Sequence, residues 1–161
     1  VEKHFGEYQF VIAAAPSIPS EFYKSVMGNS NVKVVYDQTY QLLQHAKAAM
    51  VTSGTATLET ALFNVPEVVC YKGNKISYHI ARKLIKVKYI SLVNLIMDSE
   101  IVKELIQDEL NETQLKENLT KLLEPNYQTN LKNQYNELRG KLGGKGASER
   151  AAIHITEFLS K

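Results

Sequence analysis

A chain of 161 residues, 44% hydrophobic and 22% charged, suffices for one domain with a sizeable core and lacks the composition of a disordered segment. Its formal net charge of +2 is too mild to argue for nucleic acid, whose binders concentrate basic charge on one face. The single cysteine, Cys70, excludes an intrachain disulfide framework or a cysteine-rich zinc site and suits a reducing compartment.

No stretch approaches the roughly 18 consecutive apolar residues of a membrane span, and Val1-Glu2-Lys3-His4 lacks the apolar core of a secretory leader. A soluble protein able to touch a membrane surface is expected. From the amino end, residues 1–6 read as the tail of a helix. Extended runs at 8–14, 32–35, 48–52 and 67–71 then alternate with helical runs at 20–26, 38–46 and 55–63. Such alternation over short links predicts an α/β fold in which helices flank a parallel sheet.

Beyond Tyr71 the pattern predicts a helix over 75–85, with Ile76, Ile80 and Leu84 on one line, and a short extended piece at 89–92. The remainder reads as helical. Asn111 is a good N-cap with Gln114 three residues on and Leu110 and Leu115 as a hydrophobic staple, so a helix runs to about Leu123 before Pro125. Another covers 126–142. Gly143, Gly144 and Gly146 then break the chain, and Ser148 caps a last helix to about Leu159. No repeat or linker divides residues 1–161, which read as a single domain.

The densest chemical signal is Ser53-Gly54-Thr55-Ala56-Thr57-Leu58-Glu59. A short strand turning through Ser-Gly-Thr into a helix leaves backbone N–H groups unpaired at the helix start, where they and the macrodipole favour an anion such as a diphosphate. Glu59 follows Thr55 on the same face, one turn of about 5.4 Å further on, within reach of a ribose. An acidic residue there also simply suits the dipole. The core face is drawn through Leu58, Ala61 and Leu62, which leaves Glu59 free to face a cleft.

Other signals have plainer readings. The glycines from 140 to 146 with Lys141 and Lys145 lack phosphate-loop spacing and a preceding strand. His4, His45, His79 and His154 have no carboxylate or cysteine at ligand spacing, so no metal site is expected. Asp37, Asp98 and Asp108 stand alone, so diphosphate chemistry here runs without protein-held metal. Cys70, within Val68-Val69-Cys70, reads as a buried inert thiol.

Six basic residues, Lys72, Lys75, Arg82, Lys83, Lys86 and Lys88, occur with no acidic one between them. They read either as a solvated helix face or as an attraction to anionic headgroups or an anionic substrate. Asn94, polar within Ser91-Leu92-Val93-Asn94-Leu95, either closes a turn or reads a sugar hydroxyl.

Residues 49–59, the run Val65-Pro66-Glu67-Val68-Val69-Cys70-Tyr71-Lys72, the run Tyr89-Ile90-Ser91-Leu92-Val93-Asn94-Leu95 and the ending Gly146-Ala147-Ser148-Glu149-Arg150-Ala151-Ala152 resemble the C-terminal half of lipid-A-disaccharide synthases. The resemblance covers nearly the whole chain. It implies a Rossmann-like sheet with a helical C-terminal segment, the donor-binding half of an inverting GT-B-type glycosyltransferase of lipid A and lipopolysaccharide synthesis. The donor would be UDP-2,3-diacylglucosamine and the acceptor 2,3-diacylglucosamine 1-phosphate (lipid X), yielding a β-1,6-linked disaccharide phosphate and UDP with no cofactor.

Carried onto this sequence, Ser53, Gly54, Thr55 and Thr57 would surround the diphosphate, Glu59 would hold the ribose hydroxyls and Asn94 would lie at the donor sugar or phosphate. Tyr36 would border the uracil. The resemblance also implies a cytoplasmic enzyme peripheral to the inner membrane, with exchange of C-terminal segments between two copies as a route to a homodimer. Val93 stands where the family commonly has proline, and Cys70 where it often has a smaller residue. The acceptor half with its general base, and the first strand of the donor half, are absent from this sequence, so the chain is expected to hold no catalytic residue and to be inactive alone. Two alternatives remain beside this reading: another UDP-sugar enzyme of the same fold, such as an epimerase or a peptidoglycan-type transferase, or a non-catalytic module docking on membranes or partners.

Overall fold

The computed structural model describes residues 1–52, 54–73, 88–144 and 146–160. A 3-10 turn at Glu2–Phe5 leads into β1 (Val11–Ala14), α1 (Ser20–Met27), β2 (Lys33–Tyr36), α2 (Thr39–His45), β3 (Ala49–Thr52), α3 (Thr55–Leu62) and β4 (Glu67–Tyr71). After residue 87 come α4 (Leu92–Met97), β5 (Lys103–Ile106), a 3-10 turn at Gln107–Glu109, α5 (Glu112–Leu122), α6 (Pro125–Leu142) and α7 (Ala147–Leu159). The helix expected over 75–85 lies outside the described residues.

All strand pairs among the described residues are parallel, as the alternation of strands and helices requires. They form two pieces, β1 with β2 and the ordered trio β3-β4-β5. The rungs of the trio align Thr52 with Cys70 and Cys70 with Leu105.

Three expectations are corrected. Residues 103–106 form a strand rather than helix; Lys103 and Glu104 interrupt the apolar run and hide its strand character. Residues 89–92 contain no strand, because Ser91 caps α4 by accepting a hydrogen bond from the Asn94 N–H. Ser148 is not a cap: Gly146, at φ 90°, takes that place two residues earlier, and α7 begins at Ala147. The Asn111 cap forms as expected, its Oδ1 accepting from the Gln114 N–H at 3.0 Å.

The core gathers on the trio. Val68 and Val69 of β4 and Leu105 of β5 are fully buried against Val93 of α4 and Leu131, Tyr135 and Leu138 of α6. Each such side chain contributes about 1.5–3 kcal/mol by leaving water. In contrast, α7 buries no side chain, and Ile153, Ile155, Phe158 and Leu159 are exposed. No helix among the described residues is long and apolar enough to cross a membrane.

Helix α6 fastens the far end of α3. The Arg139 guanidinium donates to the Leu62 carbonyl at 2.5 Å and to Asn64 Oδ1 at 3.0 Å, and Tyr135 Oη donates to the Val65 carbonyl at 3.3 Å. A cation on the last carbonyls of a helix satisfies orphan acceptors and complements the dipole. Arg139→Ala is therefore expected to lower stability by about 1–2 kcal/mol in urea unfolding, with the slope unchanged.

Candidate functional site

β3 ends at Thr52, and Gly54 is the N-cap of α3 at φ 122° and ψ −159°. That region of backbone space is open essentially to glycine alone. A Cβ at Gly54 would meet nothing within 4 Å, so the requirement comes from the backbone and not from crowding. No side chain caps the helix among the described residues. The Thr57 N–H donates to the Gly54 carbonyl at 3.2 Å, while the Thr55 and Ala56 N–H groups have no acceptor among the described residues. The helix thus opens on unpaired donors at the carboxyl end of β3, a setting that favours an anion.

Glu59 follows one turn on, half-buried, with no hydrogen bond or ion pair to the described residues. Thr55 is exposed. Ser53 lies outside the described residues. The core face of α3 runs through Thr57, Thr60 and Ala61, with Leu58 partly buried and Leu62 exposed, correcting the stripe drawn through Leu62. The threonines can be buried because each hydroxyl bonds its own helix: Thr57 Oγ1 to the Gly54 carbonyl and Thr60 Oγ1 to the Ala56 carbonyl, both at 2.8 Å. Thr57 accordingly faces the core and holds the shape of the helix start.

Asn94, expected at the donor sugar or phosphate, lies on the buried side of α4. Fully buried, it donates through Nδ2 to the Val102 carbonyl (2.8 Å) and Glu104 Oε1 (2.9 Å). Its Oδ1 accepts from the Ile101 (2.8 Å) and Val102 (3.0 Å) N–H groups. All four hydrogen-bonding positions of the amide are filled from within. Glu104, buried on β5, completes the network by accepting from the Ile90 and Ser91 N–H groups and, at 2.7 Å, from the Ser91 hydroxyl. Asn94 therefore pins α4 to β5.

Tyr36 is exposed at the carboxyl end of β2, edge-on to Tyr23 at 6.4 Å, and belongs to the two-stranded piece of sheet. Of the basic run, Lys72 is exposed and Lys88 pairs with Asp98 at 3.0 Å, which holds the Lys88 ammonium above its ordinary range. Lys75, Arg82, Lys83 and Lys86 lie outside the described residues. Cys70 is half-buried, and burial pushes its thiol up to about 11, as suits an unreactive sulfur.

Sequence reasoning passed over two further groups. Glu67 opens β4 wholly buried, with neither carboxyl oxygen partnered among the described residues, and burial pushes its carboxyl up to about 9. Gln107, just past β5, is buried with both side-chain polar atoms unpaired among the described residues. Neither sits in a pattern that periodicity detects, although Glu67 follows Pro66 at the head of an otherwise apolar run.

The lipid-A-disaccharide synthetase family model matches residues 3–158. The chain is similar to the lipid-A-disaccharide synthases of Syntrophus aciditrophicus, 35% identical over 95% of this chain and 41% of that protein, and of Sulfurihydrogenibium sp., 34% identical over 99% and 44%. That of Geobacter sulfurreducens is 30% identical over the whole of this chain and 43% of its own length. This chain thus spans less than half the length of the curated relatives it matches. A match running almost end to end, on a parallel α/β sheet whose Gly54 turn opens α3 on unpaired donors, establishes that the chain belongs to the lipid-A-disaccharide synthetase family.

Proposed function

We propose that this chain is the donor-binding part of an inverting glycosyltransferase that transfers 2,3-diacylglucosamine from UDP to 2,3-diacylglucosamine 1-phosphate. The carrying observation is the start of α3 after Gly54, uncapped among the described residues, with Glu59, unpartnered among them, one turn behind it. In this reading the Gly54–Thr55 backbone, with Ser53 beside it in sequence, receives the diphosphate and Glu59 takes the ribose hydroxyls. As the anomeric C–O bond breaks, negative charge grows on the departing diphosphate, and fixed N–H dipoles favour that transition state over the ground state. The acceptor and the general base belong to the remainder of the enzyme.

The division of the sheet supports one more element of this reading. A strand running parallel between β1 and β3 would join the two pieces into one Rossmann-like sheet. Lys72 and the basic run after it would lie near an anionic membrane surface that carries the acylated substrates.

The test is titration of the full-length enzyme with UDP and with UDP-2,3-diacylglucosamine. Glu59→Ala is expected to weaken both by about 10–100-fold, the worth of hydrogen bonds to a charged group, with thermal stability unchanged. Equal affinity in the variant contradicts the assigned role.

A further inference from the structure

Among the described residues, four that are not glycine adopt positive φ: Asp37, Asn64, Asp98 and Gln107. The first three are exposed Asp or Asn, types whose short side chains tolerate this region. Gln107, at φ 54°, is neither. It is also 7% exposed, and its Nε2 and Oε1 have no partner among the described residues. Two unfavourable features thus coincide in one residue, a strained backbone and an unpaired buried carboxamide, and such strain collects where a ligand is held.

The strand register shows where this residue stands. Thr52, Cys70 and Leu105 share a level across β3, β4 and β5, so Gly54, Lys72 and Gln107 each come two residues later on the carboxyl rim of the trio. Gln107 is separated from the opening of α3 by two strand spacings, about 10 Å. A group linked to a diphosphate at Gly54 and extending over β4 arrives at β5. A carboxamide, donor and acceptor at once, complements a hydroxyl or an acylamino group.

We propose that Gln107 binds the glycosyl part of the nucleoside diphosphate sugar, its carboxamide pairing with a hydroxyl or acylamino group of the sugar. This rests on the reading that α3 receives the diphosphate. Bound sugar supplies the partners that the folded chain withholds from Gln107, and the discrimination between UDP and UDP-sugar originates at this residue.

The experiment uses full-length enzyme with Gln107→Leu, which removes the polar atoms, and Gln107→Gly, which removes them and also relieves the backbone. Dissociation constants for UDP and for UDP-2,3-diacylglucosamine are measured by calorimetry. Expected is a UDP constant within about twofold of the parent and a loss of about 10-fold in preference for the sugar nucleotide in both variants, the worth of about one hydrogen bond pair. The Gly variant guards against misfolding, because its backbone suits positive φ. An unchanged ratio of the two constants in a folded variant overturns the proposal and leaves the α3 reading standing. Failure of the parent enzyme to bind UDP at all overturns both.

Discussion

Replacing Asn94 with alanine is expected to lower folding stability by about 3–5 kcal/mol, since it strips partners from the buried Ile101 N–H, the Val102 N–H and the Val102 carbonyl at once. Each unpaired group forfeits about 1–3 kcal/mol, and partial relaxation keeps the total below their sum. Asn94→Asp does not rescue the fold, because it sets a second carboxylate where the amide now donates to Glu104 at 2.9 Å. Urea unfolding measures the loss, and hydrogen exchange at Ile101 and Val102 locates it. The opposite profile, intact stability with weakened donor binding, would make Asn94 a ligand contact and not a structural pin.

Glu67 provides the second large effect, with the opposite sign. In the folded chain its carboxyl keeps a proton up to a pH of about 9, whereas the unfolded chain releases it from the ordinary value of 4.5 upward. The folded state therefore binds the extra proton between those values, and stability falls as pH rises through that window and levels off above it. At about 1.4 kcal/mol per unit, the penalty reaches about 3 kcal/mol at pH 7. Glu67→Met, which fills similar space without the titrating group, is expected to raise stability at pH 7 by about that amount. The gain should shrink near pH 4.5 to the smaller cost of burying an unpaired neutral carboxyl. Parallel pH profiles for parent and variant between pH 5 and 8 would show that Glu67 finds water or a partner.

The fold was legible where periodicity and punctuation agree. Alternating apolar runs located β1 to β4, and Asn111 with Gln114 marked the start of α5, because these signals are local and backbone-driven. β5 escaped because Glu104 is buried for its hydrogen bonds to Ile90, Ser91 and Asn94, partners found only in three dimensions. The same reason explains Thr57 and Asn94. Both are polar residues beside the expected ligand, and both spend their polar atoms on the chain itself. Small hydroxyls returned to their own helix allow α3 to pack through Thr57, Thr60 and Ala61, a face that a hydrophobicity count assigns to Leu62. The Gly54 turn could be read in advance because its constraint is a backbone geometry that glycine alone satisfies.

The tie between α6 and the end of α3 sets an order in time. Tyr135 meets Val65 and Arg139 meets Leu62 across 70 and 77 positions of chain. While the polypeptide is being made, at about 5–20 residues per second, the segment bearing Gly54 leaves the ribosome several seconds before its anchor exists. Until residue 139 emerges, the nascent sheet must persist with an unfastened helix, and a premature stop ahead of α6 would release a product able to form the strands of the trio but unable to lock α3 onto them.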